Sequence, residues 1–127
     1  MTANNPQQDE RPPIWIGHVS INVSDFKKSL DFFKFVGMRK VAEFQDLAVL
    51  ELRGGTHLVL RNKPETAPGQ ASFDLMVDDL KAQQVALQEA GYAPSEIREG
   101  RIHSVFDVSE PSGNIISFYD SHVVGPV

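Results

Sequence analysis

Cysteine is absent from this chain of 127 residues. Its absence excludes disulfide bonds, thiolate zinc sites, iron–sulfur clusters and a cysteine nucleophile, and it fits a reducing compartment. Long apolar runs are missing too, since no segment approaches the roughly 20 residues that a membrane-spanning helix requires. The N-terminal segment has no apolar stretch typical of a secretion signal. We therefore expect a soluble, cytoplasmic protein without a membrane partner.

Clusters of positive charge are equally scarce. The net charge is −5 at pH 7 and the isoelectric point is about 5.3. Basic residues are scattered along the chain, and the longest runs are the pairs Lys27-Lys28 and Arg39-Lys40. Proteins that bind nucleic acid usually concentrate basic residues on one face. We therefore expect no nucleic-acid partner.

The chain has the length of one ordinary domain, which buries roughly two thirds of the surface of its unfolded form. Residues 1–13 are polar and rich in proline, and we interpret them as a flexible N-terminal tail. Residues 14–121 carry regular hydrophobic patterns and are interpreted as a single domain. Residues 122–127 are interpreted as a C-terminal tail.

Period-two alternation predicts a strand at residues 14–23, because polar and apolar residues alternate strictly from residue 18. A helix is predicted next, with Ser24 as its N-cap and Asp25 adding negative charge to the first turn. Apolar residues follow at helical spacing. Gly37 is placed to end the helix in a left-handed conformation. Three further strands are predicted at 40–44, 47–53 and 57–61.

The same pattern then begins again. Residues 72–92 align without a gap to residues 18–38, at an offset of 54 positions. The identical pairs are Val23/Val77, Asp25/Asp79, Lys27/Lys81 and Gly37/Gly91. The second copy comprises a strand at 71–77, a helix at 80–90 and strands at 95–97, 101–108 and 114–120. We therefore divide the domain into module 1 (14–62), a linker (63–70) and module 2 (71–121), each with the order βαβββ.

Each first strand is expected to pack its apolar side on the helix of the same module, because both surfaces avoid water. The opposite sides, formed by residues 18, 20 and 22 and by residues 72, 74 and 76, then point away from the helices. Two curved sheets set side by side would enclose a groove lined by these residues.

Three segments resemble a known family. The segments are IGHVSINVSDFKKSLDFFKFVGM, ASFDLMVDDLKAQQVALQEAGY and EPSGNIISFYD. They are similar to the opening of each module and to the closing turn and strand of the glyoxalase/bleomycin-resistance/dioxygenase (vicinal-oxygen-chelate) superfamily. The resemblance covers residues 14–121 and implies an α+β fold, in which two βαβββ modules form a curved mixed sheet around a cavity.

The family's metal-dependent members bind one divalent ion through His and Glu residues from four strands. Carried over residue by residue, these positions fall on His18, Val59, Ser72 and Ser117. One ligand of four remains, whereas a catalytic zinc usually has three protein ligands. We therefore predict no metal and no cofactor. A divalent ion held through His18 is the alternative that stays open.

The predicted ligand-binding residues line the groove that the resemblance implies: His18, Ser20, Val59, Arg61, Ser72, Asp74, Phe106, Ser117 and Tyr119. His18 is also the candidate catalytic residue, because imidazole titrates near neutral pH. Asp74 is expected to pair with His18, with Arg61 or with a cationic ligand. The alternative role of Phe106 is core packing. The alternative interpretation of the polar residues is that they are simply exposed to solvent.

The resemblance and the missing ligands favour a protein that binds a small molecule without metal catalysis. The alternative is a lyase, isomerase or dioxygenase, dependent on metal or free of it, that acts on a small oxygenated substrate. Exposed aromatic rings are common at interfaces, and Trp15, Phe32 and Phe35 are predicted to be exposed. We therefore expect a homodimer, which is frequent in this family. Coverage of these rings by the N-terminal tail is the alternative.

Overall fold

The computed structural model describes residues 9–123 and 125–127. The first module contains the strand β1 (His18–Val23), the helix α1 (Phe26–Phe35) and the strands β2 (Arg39–Glu43), β3 (Leu47–Glu51) and β4 (His57–Asn62). The second contains the strand β5 (Leu75–Val77), the helix α2 (Leu80–Glu89) and the strands β6 (Arg98–Glu99), β7 (Ser104–Ser109) and β8 (Ile115–Asp120). The predicted order βαβββ therefore occurs twice.

Each module folds into its own four-stranded mixed sheet. The strand orders are β1-β4-β3-β2 and β5-β8-β7-β6, so the second sheet repeats the topology of the first. In both sheets the first and last strands of the module pair in parallel, and the remaining neighbours are antiparallel. The predicted α+β fold class is confirmed, with two separate sheets in place of one continuous sheet.

One side of each sheet packs on the helix of its module. Residues of β1 that alternate toward α1, such as Val23, are buried, and so are Leu58 and Leu60 of β4. In the second module Phe106 and Phe118 stack with ring centroids 5.0 Å apart. Burial of such side chains, each contributing about 1.5–3 kcal/mol, supplies most of the stability of the fold.

The helix α1 begins one residue later than the sequence predicts, whereas α2 begins at Leu80 as predicted. Asp25, not Ser24, caps α1, because its carboxylate accepts a hydrogen bond from the Lys28 backbone nitrogen at 3.3 Å. Asp79 caps α2 in the same way, through the Ala82 nitrogen at 3.0 Å. In both helices the capping aspartate directly precedes the first helical residue. From that position its carboxylate reaches the backbone nitrogen of the third helical residue.

The strand predicted at 71–77 is shorter in the structure. Gln70 bridges to Ile115, and Leu75 pairs with Phe118. The chain advances five residues from Gln70 to Leu75 but only three from Ile115 to Phe118. Residues 71–74 therefore bulge away from the regular ladder. Ser72 and Asp74 lie in this segment, outside β5, and both are exposed.

A buried carboxylate joins the two modules. Glu110, only 2% exposed, begins the turn between β7 and β8. Its Oε1 accepts hydrogen bonds from Ser29 Oγ at 2.5 Å and from the Ser112 nitrogen at 3.0 Å. Its Oε2 accepts from the nitrogen and side-chain amide of Asn114, at 3.1 and 2.7 Å. Four donors satisfy the charge, and one of them, Ser29, belongs to α1 of the other module.

The same turn contacts module 1 at two further points. Ser112 Oγ accepts a hydrogen bond from the Asp25 nitrogen at 2.9 Å, and Asn114 Nδ2 donates to the Asn22 carbonyl at 3.1 Å. Gly113 has a φ of 93° and lies against Pro68, whose Cβ would be 3.0 Å from an added Cβ. Both the left-handed backbone and this close approach require glycine.

Aromatic packing between the helices completes the contact between modules. Phe32 of α1 is fully buried, and its ring centroid lies 5.0 Å from that of Tyr92, which follows α2. The prediction that Phe32 is exposed is therefore wrong, because the sequence pattern of α1 does not show that module 2 covers its flank. Phe35 and Trp15 are 48% and 67% exposed, as predicted.

Candidate functional site

The side of the first sheet that faces away from α1 is open, and we call it face 1. Register pairs His18 with His57, Ser20 with Val59, and Asn22 with Arg61 between β1 and β4. On β3, Glu51 lies beside His57 and Val49 beside Val59. The row formed by His18, His57 and Glu51 is polar. In the neighbouring row, Val59 and Val49 are apolar and partly buried. Face 1 thus offers both hydrogen-bonding groups and apolar surface to a ligand.

Two histidines meet at one end of face 1. The rings of His18 and His57 lie edge to face with their centroids 5.6 Å apart. Glu51 Oε1 lies 3.9 Å from His57 Nε2. His57 is not among the predicted site residues, because the sequence does not reveal that β1 and β4 are paired in the register that aligns it with His18.

The corresponding side of the second sheet, which we call face 2, is formed by β5, β8 and β7. Met76 pairs with Tyr119, Tyr119 with Val105, and Ser117 with Asp107. Met76 is 49% exposed, and the other four are partly buried. Face 2 is therefore more apolar and more aromatic than face 1.

Asp107 occupies the centre of face 2 and is the main residue that sequence reasoning missed. Its Oδ1 accepts a hydrogen bond from Ser117 Oγ at 2.6 Å, and its Oδ2 lies 2.9 Å from a guanidinium nitrogen of Arg98. The period-two pattern of β7 places Asp107 on the open side. Only the strand register shows that it faces Ser117.

Within the described part of the chain, neither of two cavities is lined by residues of both faces. One cavity, about 670 Å³, lies between the segment around Trp15, the Gly54 turn and Val127. The second, about 480 Å³, lies between the end of α1 and β5. Asp74 lines the second cavity, and His18 and Ser117 line neither.

The predicted ligand-binding residues divide into three groups. His18, Ser20, Val59 and Arg61 share face 1, and Ser117 and Tyr119 share face 2. Ser72 and Asp74 lie in the bulged segment, and within residues 9–123 and 125–127 no basic side chain forms an ion pair with Asp74. Phe106 is fully buried against Phe118, so it has the alternative role of core packing and is not carried into the site.

The four positions of the family's metal site do not fit an ion. Val59 has no donor atom, and the Ser117 hydroxyl donates its hydrogen to Asp107. Ser72 lies outside the strand. Imidazole from His18 alone, with neutral hydroxyls, does not match the ligand sets of divalent transition ions. We derive no chemical step through a metal at this position.

The model of the Glyoxalase/Bleomycin resistance protein/Dioxygenase superfamily matches residues 15–118. The chain therefore belongs to this superfamily. A comparison with curated proteins found no match to this chain. Within the described residues, no helix is long and apolar enough to span a membrane.

Solved structures agree with this assignment. TnmS3, an antibiotic-binding protein from Streptomyces sp. CB03234, is 27% identical with a TM-score of 0.71, covering 87% of this chain and 98% of its own. A bleomycin resistance determinant from transposon Tn5 is 15% identical with a TM-score of 0.71, over 87% and 100% of the two chains. A lactoylglutathione lyase from Agrobacterium tumefaciens is 15% identical with a TM-score of 0.73, over 87% and 96%. At 15% identity the last two show the fold alone.

Proposed function

We propose that this chain binds a small molecule without the help of a metal, and that it does so as a homodimer. The ligand would lie in two grooves, each formed by face 1 of one copy and face 2 of the other. The observation that carries this proposal is the chemistry of the two faces. They are open and partly apolar, and the positions where relatives hold an ion carry a valine and a serine engaged with Asp107.

The composition of the faces suggests the chemical class of the ligand. Tyr119, Val59 and Val49 supply apolar and aromatic surface, while Glu51 and Asp107 supply negative charge. Pockets of this kind bind flat or apolar molecules and use a few polar groups to orient them. We therefore propose an aromatic ligand with cationic or amide groups. The likeness to an antibiotic-binding protein at 27% identity supports an antibiotic as ligand.

The need for a second copy follows from exposed apolar surface. Ile14, Trp15 and Ile16 precede β1 and are 80%, 67% and 62% exposed. Within the described residues β1 pairs only with β4, so its other edge is free. An apolar segment beside a free strand edge usually marks an interface. A second copy placed against this edge would bring face 2 of one chain opposite face 1 of the other.

Binding is tested by thermal unfolding of the protein in EDTA, with bleomycin and a set of aromatic cationic antibiotics as ligands. A ligand that binds only the folded state raises Tm, by an amount that grows with its concentration. We expect Val59→Lys to abolish the rise, because it puts a charged chain on face 1. Val85→Lys, on the exposed side of α2, is the matched control and should leave the rise intact.

Two results would contradict this function. One is a rise in Tm that needs an added divalent ion, and the other is a rise that Val59→Lys leaves unchanged. Recovery of the bound compound distinguishes sequestration from catalysis. A chemically altered compound would favour the lyase, isomerase or dioxygenase alternative, with the His18–His57 pair as its candidate base.

The dimer is tested separately by sedimentation. We expect wild-type protein to sediment as a dimer and the double variant Trp15→Glu, Ile16→Lys to sediment as a monomer that keeps its far-ultraviolet circular dichroism. Ile102→Lys is the control, since Ile102 is 70% exposed but lies far along the chain from β1. A wild-type monomer at micromolar concentration would rule out the shared grooves.

A further inference from the structure

A group of metal-ligating side chains lies outside both faces, at the point where β7 begins and β8 ends. Val105 pairs with Tyr119 in this antiparallel ladder. His103 therefore precedes β7 beside the end of β8, where Asp120 is the last residue and His122 follows two positions later. Strand pairing thus brings together three ligand-type residues that the sequence separates.

The three side chains are close enough together to bind the same ion. One ligand atom from each of His103, Asp120 and His122 lies within 4.8 Å of the other two. His103 Nδ1 is 3.6 Å from Asp120 Oδ1, and His122 Nε2 is 3.5 Å from Asp120 Oδ2. Ligands at about 2.1 Å from a tetrahedral ion lie about 3.4 Å apart. Small side-chain rotations would therefore close the group around an ion.

Two of the three ligands are already oriented by other bonds. His103 Nδ1 lies 2.8 Å from the Asp120 carbonyl oxygen, which only accepts, so this nitrogen carries the proton. An ion bound at Nδ1 would take the place of this proton and of its hydrogen bond to the carbonyl oxygen. The Ser104 backbone nitrogen donates to Asp120 Oδ1 at 2.8 Å and steadies the carboxylate.

The group is accessible to solvent. The side chains of His103 and Asp120 are 29% and 32% exposed, and that of His122 is 52% exposed. An ion could therefore enter from solvent.

We propose that His103, Asp120 and His122 bind one divalent transition-metal ion, of the class of zinc, nickel or cobalt. Two imidazoles and one carboxylate suit these ions and do not suit calcium or magnesium, which prefer oxygen ligands. Three protein ligands leave at least one coordination position open to solvent or a chelating molecule. This ion site is separate from the four family positions and stands whether or not the two faces bind an antibiotic.

A second histidine pair provides the matched control. His18, His57 and Glu51 form the other group with two imidazoles and a carboxylate, on face 1. Within residues 9–123 and 125–127 only the group of His103, Asp120 and His122 brings three such ligand atoms within 4.8 Å. Comparing variants of the two groups separates a built site from histidines that bind metal weakly on any surface.

The test measures binding of zinc and nickel chloride to EDTA-stripped, full-length protein by calorimetry, with calcium chloride as the negative control. We expect one ion per chain for the transition metals and none for calcium. His122→Ala and Asp120→Asn should weaken binding about tenfold or more, because loss of a residue that only supports a metal ligand already costs about 10–100-fold in affinity. His18→Ala and His57→Ala should leave the affinity unchanged. His122 lies beyond β8, so its loss should not disturb folding, which circular dichroism checks.

Cobalt adds an independent readout, because its visible absorption reports the number and type of ligands. We expect a spectrum typical of nitrogen and oxygen ligands in wild-type protein and in His57→Ala, and its loss in His122→Ala. The proposal is overturned if wild-type protein binds neither zinc nor nickel, or if His122→Ala binds them as tightly as wild type. Loss of binding in His57→Ala with retention in His122→Ala would also overturn it.

Discussion

At the scale of single residues, Glu110 is a buried acidic group held by hydrogen bonds. Its carboxylate is buried and accepts four hydrogen bonds, and within the described residues no basic side chain pairs with it. Hydrogen bonds from neutral donors therefore replace the water that the charge loses. This differs from the usual buried ion pair, and it makes the fold sensitive to the loss of the acceptor.

We expect Glu110→Ala to lower the free energy of unfolding by about 3 kcal/mol, because it leaves several buried donors without an acceptor. Glu110→Gln should have a smaller but clear effect, since one of its two acceptor positions becomes a donor that meets other donors. Urea unfolding measures both. Glu99→Ala on exposed β6 is the control, and an equal effect of the two alanine substitutions would refute the role of Glu110.

Tyr92 offers a test by pH. Burial and the nearby Asp31 carboxylate raise its pKa above the ordinary value of 10.0. The folded state therefore binds this proton more tightly than the unfolded state does, and the resulting stability is present below about pH 10. It is lost as the pH rises through the pKa of the folded protein.

Unfolding by urea between neutral and alkaline pH measures this loss. We expect the alkaline fall in stability to be smaller in Tyr92→Phe than in wild type. Tyr119→Phe, which removes the other tyrosine of the chain, serves as the control. A fall of the same size in Tyr92→Phe would show that other groups cause it.

At the scale of elements, the two helices show how closely capping depends on geometry. Both are preceded by two candidate caps, Ser24-Asp25 and Asp78-Asp79, and in both the second residue caps the helix. The sequence alone allows either residue to be the N-cap. The strand before the helix ends with its backbone turned so that the later side chain reaches the free amide groups.

We expect Asp25→Ala to lower the free energy of unfolding by about 1 kcal/mol, as is usual for the loss of an N-cap. Ser24→Ala should change it by less than about 0.5 kcal/mol, because Ser24 is exposed. Chemical denaturation of the two variants side by side measures the difference. A larger effect at Ser24 would place the cap where the sequence pattern predicts it.

Strand patterns were mostly predictable, and the exceptions have physical causes. Alternation predicts β4 and β8 closely, whereas β1 begins at His18 and not at residue 14, and the strand predicted at 95–97 lies at Arg98–Glu99. Gly37 and Gly91 both have the positive φ expected of helix-ending glycines. The strand before α2 is shorter than its alternation implies, because pairing of Gln70 with Ile115 forces a bulge. Such a bulge depends on a partner 45 positions away in the chain.

At the scale of the whole molecule, a polar contact and an aromatic one join the two modules, beside an exposed ion pair of Arg53 and Asp78. Glu110 and Asn114 reach Ser29 and Asn22, and Tyr92 packs on Phe32. Neither contact lies between the sheets. The modules therefore depend on each other for burial of α1, and the buried apolar residues of both form one hydrophobic cluster.

We expect the protein to unfold in one cooperative transition, with coincident curves from far-ultraviolet circular dichroism and tyrosine and tryptophan fluorescence. Phe32→Ala should lower stability by about 3–5 kcal/mol and separate the two curves, because it removes a buried ring at the contact between modules. Phe35→Ala, at a half-exposed position of the same helix, should do neither. Separate transitions in the wild type would show that the modules fold independently.

The sequence by itself determined the repeated βαβββ order, the apolar faces of strands and helices, and the family. These properties follow from local periodicity and from glycines with special backbone angles, which neighbouring residues in the chain specify. Only the tertiary structure decided which polar groups meet. Asp107 with Ser117, Glu110 with Ser29, and His103 with Asp120 and His122 are brought together by strand register and module packing. Strand register and module packing depend on contacts between distant parts of the chain, and no local sequence pattern reports such contacts.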